Sequence, residues 1–363
     1  MRYRFLKKIV LTGGGTAGHI TPNIAMIALL QEEGYEVYYI GSKDSMEEKL
    51  IRPLGIPFET VAVGRLRRYF TLKNLVDPFR AIAGAFQAKR ILRRIKPDVV
   101  FAKGGFVSVP VVAGAYMRGI PSVLHESDRS PGLANKLCIP MCRTICTSFE
   151  ETQKILGEKA VYTGLPVRRT LMNGDAEKAR VLCGFSSERP VVMVMGGSQG
   201  AQAINEAVRA ALPQLLECYQ IIHLCGEGNL DPEKENLAGY MQMEYANEQL
   251  PDLFAMTDIA ISRAGATALF EFAALEIPVL AIPLPKGASR GDQIDNAEDF
   301  AKRGWLRHLP QEDLTPEKLV EEVGALYDAR DTYKEALKQA DMAGAGERVY
   351  AQIVKAGEQK KKK

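Results

Sequence analysis

The sequence lacks a disulfide pattern, a membrane-spanning run and a large net charge. Six cysteines in 363 residues do not suggest a disulfide framework. Cys138, Cys142 and Cys146 lack the paired C-x-x-C spacing of structural zinc sites, so we predict buried thiols there and no metal. The longest apolar stretches, such as Val107–Met117 and Ile277–Leu284, are broken by proline or glycine and are shorter than the ~20 residues that span a bilayer.

Charge is distributed unevenly along the chain. The net charge is +3, yet residues 1–162 carry 24 Lys+Arg against 14 Asp+Glu, and the remainder is acidic. A basic first half predicts a nucleic acid, a phospholipid surface or a phosphorylated substrate as its partner, with a solvated face as the alternative. The N-terminal stretch MRYRFLKKIVLT has too short an apolar run for a secretory signal, so we expect a cytoplasmic protein.

Strand-like and helix-like segments alternate from the start of the chain. KKIVLT, YEVYYIG, PDVVFAK and PSVLHE read as short strands, and the pattern restarts with PVVMVM, QIIHLCG, DIAIS and PVLAIPL. We therefore predict an α/β protein with two Rossmann-like parallel-sheet domains that face each other across a cleft. The breaking residues near Gly164 give domains 1–163 and 164–340, followed by a last helix at about 341–357.

The first glycine-rich turn, GGGTAGH (13–19), stands between a strand and a helix. Its glycines let a ligand approach the backbone, and the N–H groups of a helix start favour phosphate. Gly13, Gly15 and Gly18 also fit G-x-G-x-x-G, which leaves a dinucleotide open. The second strand ends in Gly-Ser-Lys, with Asp44 too late for a ribose contact, which argues against NAD without excluding NADP.

Three polar side chains are predicted to meet beside this turn. His19 should project from the helix start into the cleft, where histidine is suited to proton transfer; the alternative is capping or packing. His125 and Glu126 follow a later strand, after the turn KGGFVSVP (103–110). The alternative here is burial of His125 against the sheet with Glu126 as its partner.

The second half repeats the glycine turn with GGSQGAQAIN (196–205), in which Ser198 and Gln199 add hydrogen-bond donors. SRAGATALFE (262–271) places N–H groups at another helix start. One turn later, Glu271 is suited to two ribose hydroxyls, unless it is a solvated or capping residue. GDQIDNA (291–297) supplies side chains suited to sugar hydroxyls. The ordered set is far more specific than any single motif.

This ordered set resembles the MurG family, which transfers N-acetylglucosamine from UDP-N-acetylglucosamine to lipid I and so gives lipid II. The resemblance rests on GGGTAGH, KGGF, HE, GLPVR, GGSQGA, SRAGAT and DQ-x-x-N. It implies the glycosyltransferase-B fold, with the last helix packed back on the first domain. It also implies inversion at the sugar carbon, UDP-N-acetylglucosamine and lipid I as partners, no cofactor, no essential metal and no nucleic acid.

The resemblance implies a role for each motif. His19 is the candidate base that activates the C4 hydroxyl of the acceptor's muramoyl sugar, and Glu126 is the next candidate. The acceptor would meet Gly14, Gly15, Gly104, Gly105, Phe106 and His125. The donor would meet Thr16, Ala17, Gly18, Asp128, Arg168, Ser198, Gln199, Ala246, Ala266, Thr267, Ala268, Glu271, Gln293 and Asn296. The first three of these also lie where the acceptor's diphosphate would bind.

Three positions depart from the family's pattern. Asp128 stands where members often carry asparagine, Ala268 where some carry threonine, and Asp292 where some carry glutamine. The amide contact expected at position 128 is the one that these departures put in question. The others look like variants within the family.

A basic and apolar segment of the first half is predicted to lie on the membrane. Apolar residues recur at helical spacing from Leu72 onward, including Leu75, Phe79, Ile82 and Phe86, and basic residues surround them. This composition is typical of an interfacial helix attracted to anionic lipid; the alternative is a core-facing stripe. The lipid acceptor favours the cytoplasmic face of the cell membrane, with other cell-wall or division proteins as further partners.

Three other functions remain open. Another glycosyltransferase of the same fold would act on a glycolipid or a small aglycone, and acceptor preference would separate the two. An NADP-dependent oxidoreductase would prefer a nucleotide with a 2′-phosphate. A membrane-bound scaffold for cell-wall enzymes would not need its cleft residues.

Overall fold

The computed structural model describes residues 7–64, 73–197, 200–287 and 291–358. These residues divide into two compact units. One runs to Arg168 and resumes at Gly344, and the other is Arg169–Ala343. Each unit is built on a parallel sheet, which confirms the predicted α/β class with two parallel-sheet domains.

The first unit contains a sheet of seven strands in the order β3-β2-β1-β4-β5-β6-β7. All its strand pairs are parallel, and helices cover the sheet, so residues at its centre, such as 9–12 and Val99–Ala102, are buried. The strands are β1 (Lys7–Thr12), β2 (Tyr35–Gly41), β3 (Phe58–Thr60), β4 (Val99–Ala102), β5 (Ser122–Glu126), β6 (Thr144–Thr147) and β7 (Ala160–Tyr162).

Six helices in the described residues of this unit connect its strands. They are α1 (Ala17–Glu32), α2 (Met46–Ile51), α3 (Lys73–Ile95), α4 (Ser108–Tyr116), α5 (Leu133–Cys138) and α6 (Glu150–Leu156). Cys138, Cys142 and Cys146 lie in the interior of this unit, which confirms that they are buried thiols; burial raises the pKa of each.

The second unit contains a sheet of six strands in the order β10-β9-β8-β11-β12-β13, again with parallel pairs. The strands are β8 (Val191–Met195), β9 (Gln220–Leu224), β10 (Tyr240–Met243), β11 (Ile259–Ser262), β12 (Val279–Ala281) and β13 (Arg307–His308). The helices are α7 (Ala176–Cys183), α8 (Gln202–Cys218), α9 (Leu250–Met256), α10 (Ala266–Ala274), α11 (Asp292–Lys302), α12 (Pro316–Asp328) and α13 (Arg330–Gln339).

The last helix, α14 (Ala345–Glu358), belongs to the first unit. Val349 and Ile353 are buried in the same hydrophobic cluster as the strand residues Ile9 and Leu11. Arg348 Nε donates to the carbonyl oxygen of Thr163 at 2.9 Å. The chain therefore returns to the first sheet after it has completed the second.

The first unit extends slightly beyond the boundary expected from the sequence. The sequence predicts that the second domain starts at Gly164, but the N–H of this residue donates to the carbonyl oxygen of Thr147 at 3.2 Å. Leu165 is fully buried as well. The segment through Arg168 is thus tied to the first sheet by contacts that a breaking Gly-x-Pro motif does not reveal.

Candidate active site

Two glycine loops of the first unit lock against each other, one after β1 and one after β4. The N–H of Gly14 donates to the carbonyl oxygen of Gly104 at 3.3 Å. Gly105 has a φ of +78°, and a Cβ on it would lie 2.1 Å from the Gly14 carbonyl oxygen. Only glycine fits there, because the backbone is left-handed and the loops touch. The structure thus brings together the glycines predicted to bind the acceptor.

A buried carboxylate that sequence reasoning missed holds the first loop in place. Glu47, in the first turn of α2, is 1% exposed. Its carboxylate accepts from the N–H of Gly15 at 3.2 Å and from the N–H and Oγ of Ser42 at 3.1 and 2.6 Å. The N–H groups of Gly14 and Gly15 are therefore already donated within the protein. An acidic residue after the second strand is the signal that could have found Glu47, although it binds the loop and not a ribose.

The start of α1 lies directly after this loop. Thr16 is the N-cap residue, without a side-chain capping hydrogen bond, and the helix begins at Ala17. The first N–H groups of a helix have no acceptor within it and carry partial positive charge. His19 is in this turn, and its Cε1 lies 3.3 Å from the position of a Cβ on Gly104. The partly exposed His19 ring is thus beside the second glycine loop, and Phe106 follows that loop half-buried.

His125 is buried at the end of β5. It is fully buried, and its Nε2 lies 2.9 Å from the carbonyl oxygen of Gly164. Burial, followed by the positive charge of Lys103, lowers the pKa of His125 well below its usual range, so the ring is neutral. The structure agrees with the alternative of burial against the sheet, with Gly164 and not Glu126 as the partner. A side chain without exposed surface does not support the predicted contact between His125 and the acceptor.

The carboxylate of Glu126 organises the loop that follows β5. It accepts hydrogen bonds from the N–H of Asp128 at 3.0 Å, the N–H of Gly132 at 3.1 Å and Nδ2 of Asn135 at 2.7 Å. The side chain is 2% exposed. With three donors already bound, this carboxylate is better suited to position the loop than to accept a proton from a ligand. Asp128 itself is partly exposed in that loop.

A pocket of about 420 Å³ opens in the second unit where the carboxyl ends of β8, β11 and β12 meet. Its lining includes the glycine turn after β8, the start of α8 and the segment after β12. The lining residues are Gly196, Gly200, Ala201, Gln202, Ala203, Glu206, Arg263, Leu284, Pro285, Gln293 and Gln311. The predicted donor residue Gln293 is therefore part of the pocket wall, and its Oε1 accepts from the N–H of Leu284 at 3.0 Å.

Arg263 lines the pocket, although the sequence motif that contains it, SRAGATALFE, did not predict a role for it. It follows β11, is 8% exposed, and donates through Nη1 to the carbonyl oxygens of Ile282 and Pro283 at 3.1 and 3.3 Å. Burial lowers the pKa of its guanidinium, but an arginine stays protonated in proteins. A positive charge thus lies beside the glycine turn. Its position directly before the Ala-Gly turn at a helix start is the sequence feature that could have indicated a role in anion binding.

The helix α10 begins next to Arg263 and carries several predicted donor residues. Gly265 is its N-cap residue and makes no side-chain capping bond. Ala266 is buried, Thr267 and Ala268 are partly exposed, and Glu271 is 6% exposed one turn further on. The first N–H groups of this nine-residue helix therefore point toward the carboxyl edge of the sheet, where an anion is favoured.

Asn296 contacts the turn before α10 through a buried hydrogen bond. It is 1% exposed, and its Nδ2 donates to the carbonyl oxygen of Ala264 at 3.2 Å. In this arrangement Asn296 fixes the turn before α10, while Gln293 on the same helix reaches the pocket. Ala246 follows the edge strand β10 at the same edge of the sheet, and Arg168 is the last residue of the first unit.

Some predicted residues fall outside what the structure describes. Ser198 and Gln199 of the second glycine turn lie outside the described residues, as do Leu72 and the side chain of Leu75. Within the described residues, His, Cys, Asp and Glu form no group of three that could hold a metal ion.

Known proteins match both units. The glycosyltransferase family 28 N-terminal domain matches residues 9–147, and the C-terminal domain of the same family matches residues 191–352. A transferase of Geobacillus thermodenitrificans is 51% identical over 92% of this chain and 94% of its own length. It is named UDP-N-acetylglucosamine–N-acetylmuramyl-(pentapeptide) pyrophosphoryl-undecaprenol N-acetylglucosamine transferase. The chain belongs to the MurG family.

Other members of the MurG family extend this result. A Bacillus anthracis enzyme of the same name, numbered 2, is 52% identical over 92% of this chain and 95% of its own length. The crystal structure of Acinetobacter baumannii MurG superposes with a TM-score of 0.75 at 25% identity, covering 96% of this chain and 99% of that one. The glycosyltransferase-B fold implied by the sequence resemblance is therefore confirmed, and the oxidoreductase alternative is not favoured.

Proposed function

We propose that this chain transfers N-acetylglucosamine from UDP-N-acetylglucosamine to the C4 hydroxyl of the muramoyl sugar of lipid I, giving lipid II for peptidoglycan synthesis. The observation that carries this function is the 51% identity to a transferase of that name over 92% of the chain. The pocket of the second unit and the glycine loops of the first supply the two kinds of site that the reaction needs.

The second unit is proposed to bind the donor. Arg263 and the N-terminus of α10 supply positive charge without a metal ion, which suits the two phosphates of UDP. Gln293 on the pocket wall would meet the sugar, and Glu271 the ribose hydroxyls. The same positive groups would stabilise the negative charge that develops on UDP as it leaves.

The first unit is proposed to bind the acceptor at the start of α1. His19 would take the proton from the acceptor hydroxyl while that oxygen forms a bond to the anomeric carbon. The bond from that carbon to the UDP oxygen breaks on the opposite face, so the configuration inverts. His19 fits this role better than Glu126 because the Glu126 carboxylate already accepts three hydrogen bonds. Glu126 would instead position the loop that carries Asp128.

The first unit is also proposed to lie on anionic lipid through α3. Phe79, Ile82 and Phe86 share one face of this helix and are 72%, 56% and 59% exposed, which supports a membrane-facing role for them over the core-facing alternative. Arg90 and Arg93 are exposed further along the helix. Exposed aromatic side chains beside arginines are typical of a helix at the surface of an anionic membrane. None of the described helices combines the length and apolar character needed to cross a bilayer.

The function is tested by UDP release from UDP-N-acetylglucosamine, with and without a lipid I analogue that carries a short prenyl chain. We expect release only in the presence of the analogue. A diacylglycerol acceptor serves as the control for another glycosyltransferase of the same fold. Release with diacylglycerol and not with the analogue would contradict the proposal.

A further inference from the structure

One lysine of the first unit is buried behind the glycine loops without a hydrogen bond to its ammonium group. Lys103 directly follows β4, and its N–H donates to the carbonyl oxygen of Thr12 at 2.8 Å. The side chain is 0% exposed, and no acceptor in the described residues reaches Nζ. Burying an unpaired charge is costly, and such groups occur mainly where another charge compensates them. The neighbouring charges of Lys103 therefore indicate its role.

The charged and titratable groups around Lys103 come from several elements. Burial is the largest effect on the pKa of Lys103 and lowers it. Glu126 at the end of β5 and Asp128 just after it raise it in part, and the resulting pKa is about 8. His125, neutral beside it, has its own pKa lowered by Lys103. Two further titratable groups lie against the glycine loops themselves: Glu47 of α2 lies against Gly14, and His19 of α1 lies against Gly104. Three of these groups, Glu47, Glu126 and Asp128, carry carboxyl groups, whereas Lys103 carries an ammonium group.

Lys103 is also next to the loops themselves. Its Cβ lies 3.0 Å from the position that a Cβ on Gly13 would occupy, and it immediately precedes Gly104. Two buried carboxylates are also close to the loops: Glu47 accepts from the N–H of Gly15, and Glu126 accepts from Asn135, whose Oδ1 lies 3.0 Å from the position of a Cβ on Gly104. Two carboxylates would repel a diphosphate diester, which carries two negative charges. A cation at this position offsets that repulsion.

We propose that Lys103 is a specificity-determining residue of the acceptor site, whose buried charge makes the glycine loops of the first unit favour a diphosphate-linked lipid over an uncharged glycolipid. The effect acts through the electrostatic field across the loops and requires no direct contact with the ligand. This inference rests on the proposed function, because it concerns the acceptor of that reaction. The pocket proposed for the donor is lined by residues of the other unit.

Direct binding of the acceptor tests this role. A fluorescent, short-chain lipid I analogue is titrated with the full chain, and its anisotropy is followed for Lys103→Met and Lys103→Arg. We expect Lys103→Met to weaken binding by about tenfold or more and Lys103→Arg to retain most of it. Lys96→Met is the matched control, because Lys96 is exposed and precedes the opposite end of β4. UDP binding should be the same in all four proteins.

Equal affinity of Lys103→Met and the unchanged chain for the analogue, with UDP binding intact, would overturn the inference. If Lys103→Met does not fold, the unchanged chain is titrated with the analogue between pH 7 and pH 9. The charge of a diphosphate diester is constant there, so affinity should fall as Lys103, with its pKa of about 8, loses its proton. An affinity independent of pH would also overturn it. The anisotropy assay measures binding of the analogue and does not depend on turnover. If binding depends on Lys103 but the analogue causes no UDP release, the proposed transfer is refuted and the role of Lys103 is not.

Discussion

In the first unit the N–H groups of the glycine loop after β1 are bonded within the protein, whereas in the second unit the glycine turn after β8 lines a pocket. The N–H groups of Gly14 and Gly15 are donated to Gly104 and Glu47. Gly196 and Gly200 instead line a pocket together with Arg263. The same order of strand, glycine turn and helix therefore occurs in two forms: the first loop is held by contacts within its own unit and precedes His19, and the second lines a pocket.

The difference between the units extends to their buried charges. In the first unit, the carboxylates of Glu47 and Glu126 and the ammonium group of Lys103 are buried near the glycine loops. The second places the guanidinium of Arg263 in the wall of the pocket itself. The buried cation of the second unit therefore lines the proposed ligand pocket, whereas that of the first lies behind the glycine loops. Each prediction below alters one side of this comparison.

The largest effect is expected for His19→Ala, which removes the proposed base and leaves the second unit untouched. Turnover should fall by at least ~100-fold, because a general base typically contributes that much or more. The measurement is acceptor-dependent UDP release at saturating substrates. UDP affinity, measured by calorimetry, should stay the same, because the pocket proposed for UDP is lined by residues of the second unit. Turnover close to that of the unchanged chain would remove His19 from the mechanism.

The second prediction compares one glycine from each unit. Gly105→Ala should lower the free energy of unfolding by on the order of 3 kcal/mol, through a left-handed backbone and a clash with the Gly14 carbonyl oxygen. Gly265→Ala should change it little, because φ there is −69° and a Cβ would meet no atom within 4 Å. Urea unfolding followed by circular dichroism provides the comparison. Similar midpoints for the two variants would mean that the loops of the first unit do not lock together as described.

The third prediction concerns acid sensitivity of the second unit. His223 hydrogen-bonds Asn205 Oδ1 at 2.9 Å and the hydroxyl of Tyr240 at 2.8 Å, and burial lowers its pKa to about 3. In the unfolded chain a histidine titrates near 6.5, so between these values the unfolded state binds the extra proton. Stability is therefore full above pH 6.5 and should fall by about 2 kcal/mol from pH 7 to pH 5.

The fluorescence of Trp305, the single tryptophan, reports unfolding of the second unit in this experiment. His223→Gln keeps a hydrogen-bonding side chain but does not titrate, so the loss of stability between pH 7 and pH 5 should be smaller in that variant. An equal loss in both proteins would show that other groups cause the acid sensitivity. His125 has the same sign of shift in the first unit, which is why the probe must lie in the second.

Local patterns predicted the elements of both units but not the contacts that distinguish them. A strand followed by a glycine turn and a helix is encoded in consecutive residues, as in KKIVLTGGG, and these elements were found where expected. The first glycine loop is held by a hydrogen bond from Gly15 to Glu47, which is far from the loop in sequence. Burial of His125 depends in the same way on Gly164. Such pairings follow from the packing of the folded chain, so neighbouring residues do not reveal them.

Helix α3 illustrates another limit of sequence patterns. Its apolar residues occupy two faces: Ala88 and Leu92 are buried, whereas Phe79 and Phe86 are exposed. Helical spacing identifies an apolar stripe but does not say whether protein, lipid or water covers it. The exposure of the aromatic face had to come from the structure.

The last prediction therefore changes the exposed face of α3 and compares it with an exposed apolar residue of the second unit. Phe79→Asp plus Phe86→Asp should weaken binding to vesicles of anionic phospholipid by at least about tenfold, because apolar area is lost and negative charge is gained. Val181→Asp is the control, since Val181 is 84% exposed on α7 and should leave vesicle binding unchanged. Sedimentation with sucrose-loaded vesicles gives the partition coefficients. Equal partitioning of the double variant and the unchanged chain would show that α3 is not the membrane-binding surface, whereas weaker binding of Val181→Asp would place lipid contacts on the second unit.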